Sequence, residues 1–269
     1  MTEQNVAFVG SIPENYDRYL GPALFEPYAL DLAERVKVSD NASVLEIACG
    51  TGILTRILRN RLPATARLVA TDLNEAMMQF AAKKFRAEEN ISFKQADATA
   101  LPFPLSSFDA VVCQFGLMFV QDKKGALDEA RRVLIPGGSF VFNVWDAIEF
   151  NELAWITHTT IAKFFDRDPP MFYQTPFGMH DTEEIVALLE DAGFQELDIS
   201  LLKLPSISSS AKEVAQGLIK GNPVIMAIEE RASVGAAEIE RAVAAEVAAR
   251  CGDMPVKARM QAFVCKCVG

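Results

Sequence analysis

The nine residues Val44-Leu45-Glu46-Ile47-Ala48-Cys49-Gly50-Thr51-Gly52 constrain the fold of this chain more than any other stretch. The apolar run 43–47 predicts a buried strand, the glycines a tight turn, and 53–61 a helix. Neither glycine has a Cβ, so the backbone there can approach a ligand closely. The N–H groups at the following helix start can face a polar or anionic group. Glu46 puts an acidic side chain near the strand end. Farther on, Leu68-Val69-Ala70 runs into Thr71-Asp72, the place where a β-α-β unit presents an acidic residue to a ribose diol.

The same rhythm continues. Strands are expected at 67–71, 91–95, 108–114 and 139–144, with helices at 25–38, 74–89 and 123–134 and a turn at Pro136-Gly137-Gly138. The run 108–114 is apolar on both faces, as central parallel strands are. Strict alternation predicts an α/β fold, a doubly wound Rossmann-like sheet with its ligand crevice at the strand carboxyl ends. After 144 the rhythm breaks. Helices are expected at 149–165, 182–192, 212–218, 224–231 and 236–250, and strands at 194–204 and 261–268, giving about seven strands in all. The segments 149–175 and 212–235 read as a helical cap inserted over the strand ends. The core would then comprise 1–148, 176–211 and 236–269.

Half of the residues are hydrophobic, enough for a sizeable core, and the net charge is −10. That charge, without any Lys/Arg cluster, argues against a nucleic-acid or membrane surface. Five scattered cysteines do not form a disulfide framework. Cys265 and Cys267 stand without a nearby His or further Cys, so no metal site is expected. No signal peptide or spanning segment is visible. A cytoplasmic protein is the expectation.

The strand-turn-helix resembles the first motif of class I S-adenosylmethionine (SAM)-dependent methyltransferases. The dinucleotide fingerprint G-x-G-x-x-G fits less well, because Thr55 stands where its third glycine belongs. Further segments carry the resemblance: Thr71-Asp72-Leu73-Asn74, Gln95-Ala96-Asp97-Ala98, Phe108 to Leu117, and Arg132-Val133-Leu134-Ile135-Pro136-Gly137-Gly138. The group it points to is the type-11, quinone-biosynthesis-like branch that acts on small molecules. The resemblance implies SAM as cofactor and a binding set of Glu46, Ala48, Gly50, Gly52, Asp72, Leu73, Met77, Asp97, Ala98, Cys113, Gln114 and Phe115. Asp72 would accept from both ribose hydroxyls. Asp97 and the Ala98 N–H would meet the adenine, and 113–115 would flank the methionine part. Tyr16 and Tyr19, in an N-terminal segment that folds over SAM in similar enzymes, join the set. Asp109, inside the fourth strand, is expected to bond a nearby backbone group instead. Asp168-Pro169-Pro170 falls after the fifth strand, too late for the D-P-P-Y motif of amino-methyltransferases, and reads as a helix-stop loop.

Methyl transfer from a sulfonium is an in-line displacement in which the protein aligns the partners and excludes water. A base is needed only where a hydroxyl or carbon acid must lose a proton. The two histidines, His158 and His180, are the candidates, with His180 favoured for its loop position. Aromatic residues from Trp145 to Phe177 suit a small, largely apolar acceptor. Whether O, N, S or C is methylated stays open, as does a homodimer. Two rivals remain: a SAM-binding protein without transfer, and a nicotinamide-dependent oxidoreductase. The second lacks a Tyr-x-x-x-Lys pair.

Overall fold

The computed structural model describes residues 8–269. Residues 1–7, the start of the expected N-terminal segment, lie outside the described residues. The chain divides into two compact units. A helical unit holds the described residues up to Pro27, Asp146–Gly178 and Lys203–Gln261. A sheet unit holds Tyr28–Trp145, Met179–Leu202 and Ala262–Gly269. The segments 149–175 and 212–235 fall inside the helical unit, which also takes in the stretches 203–211 and 236–261.

A helix begins earlier than its apolar spacing suggests. The short α1 (Ile12–Asn15) leads through a wide, i→i+5 bonded stretch (Tyr16–Phe25) into α2 (Glu26–Arg35). Pro22 sits inside the wide stretch. It lacks the N–H that an ordinary i→i−4 ladder would use there, which is why the sequence reads as a non-helical lead-in.

The sheet strands are β1 (Ser43–Ile47), β2 (Arg67–Asp72), β3 (Ile91–Gln95), β4 (Phe108–Gln114), β5 (Leu134–Trp145), β6 (Gln195–Ser208) and β7 (Val256–Val268). Their spatial order is β3-β2-β1-β4-β5-β7-β6. The pairs from β3 to β5 are parallel, and β5 pairs with β7 antiparallel. Chain order reverses between β1 and β4, so the topological switch point lies at their carboxyl ends. Between strands run α3 (Ile53–Arg61), α4 (Glu75–Ala82) and α5 (Lys123–Val133). Ala29, Leu32, Val44, Leu54, Leu58, Leu68, Ala110 and Val112 belong to one buried cluster of the sheet unit.

Several boundaries differ from expectation. Helix α4 stops at Ala82 rather than near Glu89. Arg56 of α3 donates to Lys84 O and pairs with Glu89, drawing the chain out of the helix. Pro136–Gly138 is no separate turn: β5 starts at Leu134 and carries a register shift opposite β4. Gly137 and Gly138 there bond the backbone of Gly269. Strand β7 begins five residues earlier than the expected Gln261.

The helical unit is built from α6 (Glu152–Ala162), α8 (Ala211–Lys220), α9 (Val224–Arg231) and α10 (Ala236–Cys251), while α7 (Thr182–Asp191) belongs to the sheet unit. Helix α10 buries Ile239, Val243 and Val247, one stripe at four-residue spacing. Gly217 lets α8 come close to the wide stretch, because a Cβ there would stand 2.7 Å from Tyr19 Cβ. No helix among the described residues is long and apolar enough to cross a membrane.

Candidate active site

The carboxyl ends of β1, β2 and β4 bring most of the expected residues into one neighbourhood of the sheet unit. Beyond β1 the backbone turns left-handed at Ala48 (φ 55°), Gly50 (φ 54°) and Gly52 (φ 81°). The turn is tied to β2, since Cys49 N–H donates to Thr71 O at 2.8 Å and Gly50 N–H to Asp72 Oδ2 at 2.8 Å. The two glycines do different work. A Cβ at Gly50 would meet only Met77 Cε, at 3.7 Å, an ordinary contact. A Cβ at Gly52 would press on Ala81 Cβ at 3.0 Å and Phe85 Cε2 at 3.3 Å. Gly50 therefore keeps an open cradle, and Gly52 lets α4 pack closely on the turn.

Glu46 is 1% exposed in the middle of this apolar sheet. Its Oε2 has no hydrogen-bond partner among the described residues. Burial pushes the carboxyl up to about 8; the Thr55 hydroxyl and N–H oppose this, and the Asp72 charge adds to it. Thr55 is close enough to lower the pKa, yet its Oγ1 also closes no hydrogen bond. A buried, unbridged carboxyl is costly unless something cationic or a donor completes it.

Asp72 ends β2 with both oxygens engaged: Oδ2 accepts from Gly50 and Oδ1 from Asn74 N–H at 2.7 Å. Burial raises its pKa and these two N–H groups oppose the rise. Each carboxylate oxygen retains further acceptor capacity. Leu73, next along, is 61% exposed, an apolar side chain held out at the strand end. Asn74 caps α4 by accepting from Met77 N–H, which anchors buried Met77 beside Gly50. Asp97 lies in an exposed turn after β3, where its Oδ1 accepts from both the N–H and the hydroxyl of Thr99; Ala98 is in the same turn.

At the end of β4, Cys113 is buried, and burial raises its thiol to about 12. Gln114 pairs in register with Asn143 of β5. Phe115 is left-handed (φ 49°), a costly backbone for a bulky residue. Its ring stacks on Trp145 with centroids 3.8 Å apart and planes 4° from parallel, and Tyr28 meets both rings edge-on. Gly116 follows in a tight place: a Cβ there would fall 2.5 Å from Ala48 Cβ and 2.8 Å from Cys113 Sγ. The ends of β1 and β4 thus interlock. Asp109 accepts from Ser43 N–H at 2.8 Å, the structural role expected of it.

Sequence reasoning singled out neither Gly116 nor Asn143 nor Tyr28, and it grouped Trp145 with the aromatics of the acceptor pocket, whereas Trp145 ends β5. An asparagine in an otherwise apolar strand was the available signal for Asn143. The remaining candidates lie elsewhere. Tyr16 and Tyr19 belong to the helical unit, where Tyr16 stacks on Phe25 at 4.6 Å and Arg18 lies over the Tyr19 ring. His158 is half-buried on α6 between Trp155 and Tyr173, and burial lowers its pKa. His180, the favoured base, is exposed in the sheet unit just before Asp181, the N-cap of α7.

The Methyltransferase domain family matches residues 45–142, the span that carries β1 to β5. The ubiquinone/menaquinone biosynthesis C-methyltransferase UbiE of Escherichia fergusonii is 34% identical, over 58% of this chain and 67% of its own. The chain belongs to the class I SAM-dependent methyltransferases. Solved structures agree in fold. A SAM-dependent methyltransferase from Thermotoga maritima has a TM-score of 0.56 at 18% identity, covering 96% of each chain. The phosphoethanolamine N-methyltransferase 2 of Haemonchus contortus, in complex with SAM, scores 0.62 at 14% identity over 98% of this chain and 58% of its own.

For this methyltransferase the cofactor is SAM, a ligand with a cationic ammonium and sulfonium, a ribose diol and a flat apolar base. The chain's own residues fit such a ligand. A buried acid has an open oxygen, a glycine cradle is clear of side chains but one, and an exposed leucine stands beside a carboxylate with acceptor capacity to spare.

Proposed function

We propose that this methyltransferase acts on a small, largely apolar metabolite. The observation that carries the acceptor class is the concentration of exposed apolar side chains in one segment of the helical unit: Phe150 (55%), Trp155 (37%) and Met171 (42%). The quinone-related name of UbiE is in keeping with it. We read the helical unit as the part that receives the acceptor, with segments 149–175 and 212–235 as its cap. The reading leaves a cytoplasmic location and a homodimer as companion proposals.

In this reading Glu46 receives the ammonium group and Asp72 the ribose hydroxyls. Leu73 and Met77 give the adenine apolar walls, while Asp97 Oδ2 and the Ala98 N–H face its polar edge. Ala48, Gly50 and Gly52 shape the turn against the methionine part, which Cys113, Gln114 and Phe115 flank. When bound, SAM supplies an electrophilic methyl group on a sulfur that leaves as a neutral thioether. The chain then has to align the acceptor, exclude water and, for a hydroxyl or carbon acid, take a proton. The two histidines, His180 and His158, are the candidates for that last task. The test is a screen of apolar phenols, quinols, amines and thiols with SAM, read by mass spectrometry. A product heavier by one methylene, with S-adenosylhomocysteine formed in step, supports the reading. Turnover confined to charged or macromolecular acceptors sinks it.

A further inference from the structure

Strand β5 buries Phe140, Val141, Phe142 and Val144 completely, and among them stands one polar side chain, Asn143, itself 0% exposed. Its Oδ1 accepts from Phe115 N–H at 3.0 Å. The same N–H also reaches the backbone carbonyl of Asn143 at 3.2 Å. Asn143 Nδ2 has no hydrogen-bond partner among the described residues. The carboxamide is thus not needed to satisfy Phe115, whose N–H already has an acceptor, and it leaves a buried donor unmatched. A leucine of similar size would avoid that penalty. What Oδ1 adds is a second acceptor on one N–H, a restraint on the direction in which the Phe115 peptide points.

That direction matters because Phe115 is left-handed, a backbone that L side chains resist. Trp145, two residues along β5 and so on the same face as Asn143, grips the ring from beneath. The turned Phe115 then delivers Gly116 against Ala48, itself left-handed and two residues before Gly50. We propose that Asn143 is a positioning residue for the methyl-donor site: it holds Phe115 in its left-handed conformation and so fixes the spacing of the β1 and β4 ends. The proposal rests on the assignment of those ends to SAM.

A mutant cycle tests it by SAM titration calorimetry and thermal melts, without any acceptor. Asn143→Leu should keep or raise the melting temperature, since the unmatched donor is gone, while weakening SAM binding about tenfold, the size expected for one lost restraint. Asn143→Asp, whose buried carboxyl keeps a carbonyl acceptor, should restore most of the affinity. In a Phe115→Gly background, where glycine adopts the left-handed backbone unaided, Asn143→Leu should change affinity less than about twofold, as coupling through one residue requires. Wild-type affinity in Asn143→Leu overturns the proposal, as does the same loss in both backgrounds or a loss of affinity that merely tracks melting temperature. Should Asn143→Leu not fold, Asn143→Ala runs the same cycle. Asp72→Ala is the control for the underlying reading. If it binds SAM normally, the donor-site assignment itself fails; if it loses binding while Asn143→Leu does not, only the role of Asn143 falls.

Discussion

The ends of β1 and β4 meet the same demand, a backbone turned left-handed at the switch point, by opposite means. At β1 the turn is made largely of glycine and its polar demand is met by carboxyl groups: Asp72 accepts two N–H groups, and Glu46 waits with an open oxygen. At β4 the turn is made by a phenylalanine held between an asparagine and a tryptophan. The first end is cheap in conformation and expensive in charge. The second is expensive in conformation and nearly free of charge. Binding chemistry should therefore respond to substitutions at β1 without much loss of fold, whereas at β4 a change that crowds the turn, as at Gly116, should lower binding and stability together.

The largest effect expected at the β1 end is that of Asp72→Ala. Two charge-assisted hydrogen bonds at about 1.5–3 kcal/mol each correspond to SAM binding weaker by roughly a hundredfold to ten-thousandfold. Calorimetry measures it, and an unchanged dissociation constant would break the account of the turn. Glu46→Gln comes next, at roughly tenfold to a hundredfold weaker binding for one lost charge contact.

Glu46 also sets a pH dependence. Burial holds its carboxyl at about 8 in the folded protein against an ordinary value of 4.5, so the folded state holds a proton that the unfolded chain has released between those values. The stability it contributes is fully present below about 4.5 and is lost as pH rises to about 8. SAM affinity should run the other way, since an ionised carboxylate attracts a cation: up to about tenfold tighter per pH unit on the approach to pH 8, then level. Glu46→Gln should flatten both profiles. A wild-type affinity that does not rise with pH on the approach to about 8 would show that Glu46 is not the ammonium's partner.

At the β4 end, Gly116→Ala should force Ala48 and Cys113 apart, costing about 1–3 kcal/mol of stability as overpacking does and weakening SAM binding with it. Equal melting temperatures would refute the interlock. The smallest effect is expected far from both ends. Gly193, left-handed after α7 with Arg131 Nε 3.3 Å from where a Cβ would sit, should cost about 1 kcal/mol as alanine and leave SAM affinity unchanged.

How much of this was legible in the sequence follows the same division. The nearness of Glu46, Gly50 and Asp72 was legible because it depends on local order along β1 and β2, where an acid, a turn and a second acid follow at fixed offsets. The parallel order through β5 was legible for the same reason. Gly116 and Asn143 depend on distances between strands, which no single segment encodes. The split between Gly50 and Gly52 depends on where α4 lies, and the helical nature of 16–25 was hidden by Pro22. The donor-site reading of Tyr16 and Tyr19 rests on resemblance, because their visible neighbours are those of the helical unit.

The buried thiol of Cys113 has a chemical consequence. A thiolate is a better nucleophile toward a sulfonium methyl than almost any metabolite, and one standing where the donor is proposed to lie would be a competing acceptor. With its thiol raised to about 12 by burial, Cys113 stays protonated at neutral pH and only the thiol form faces the donor. If the donor lies there, the same apolar enclosure keeps the enzyme from alkylating itself, and chemoselectivity becomes a property of the fold rather than of the substrate.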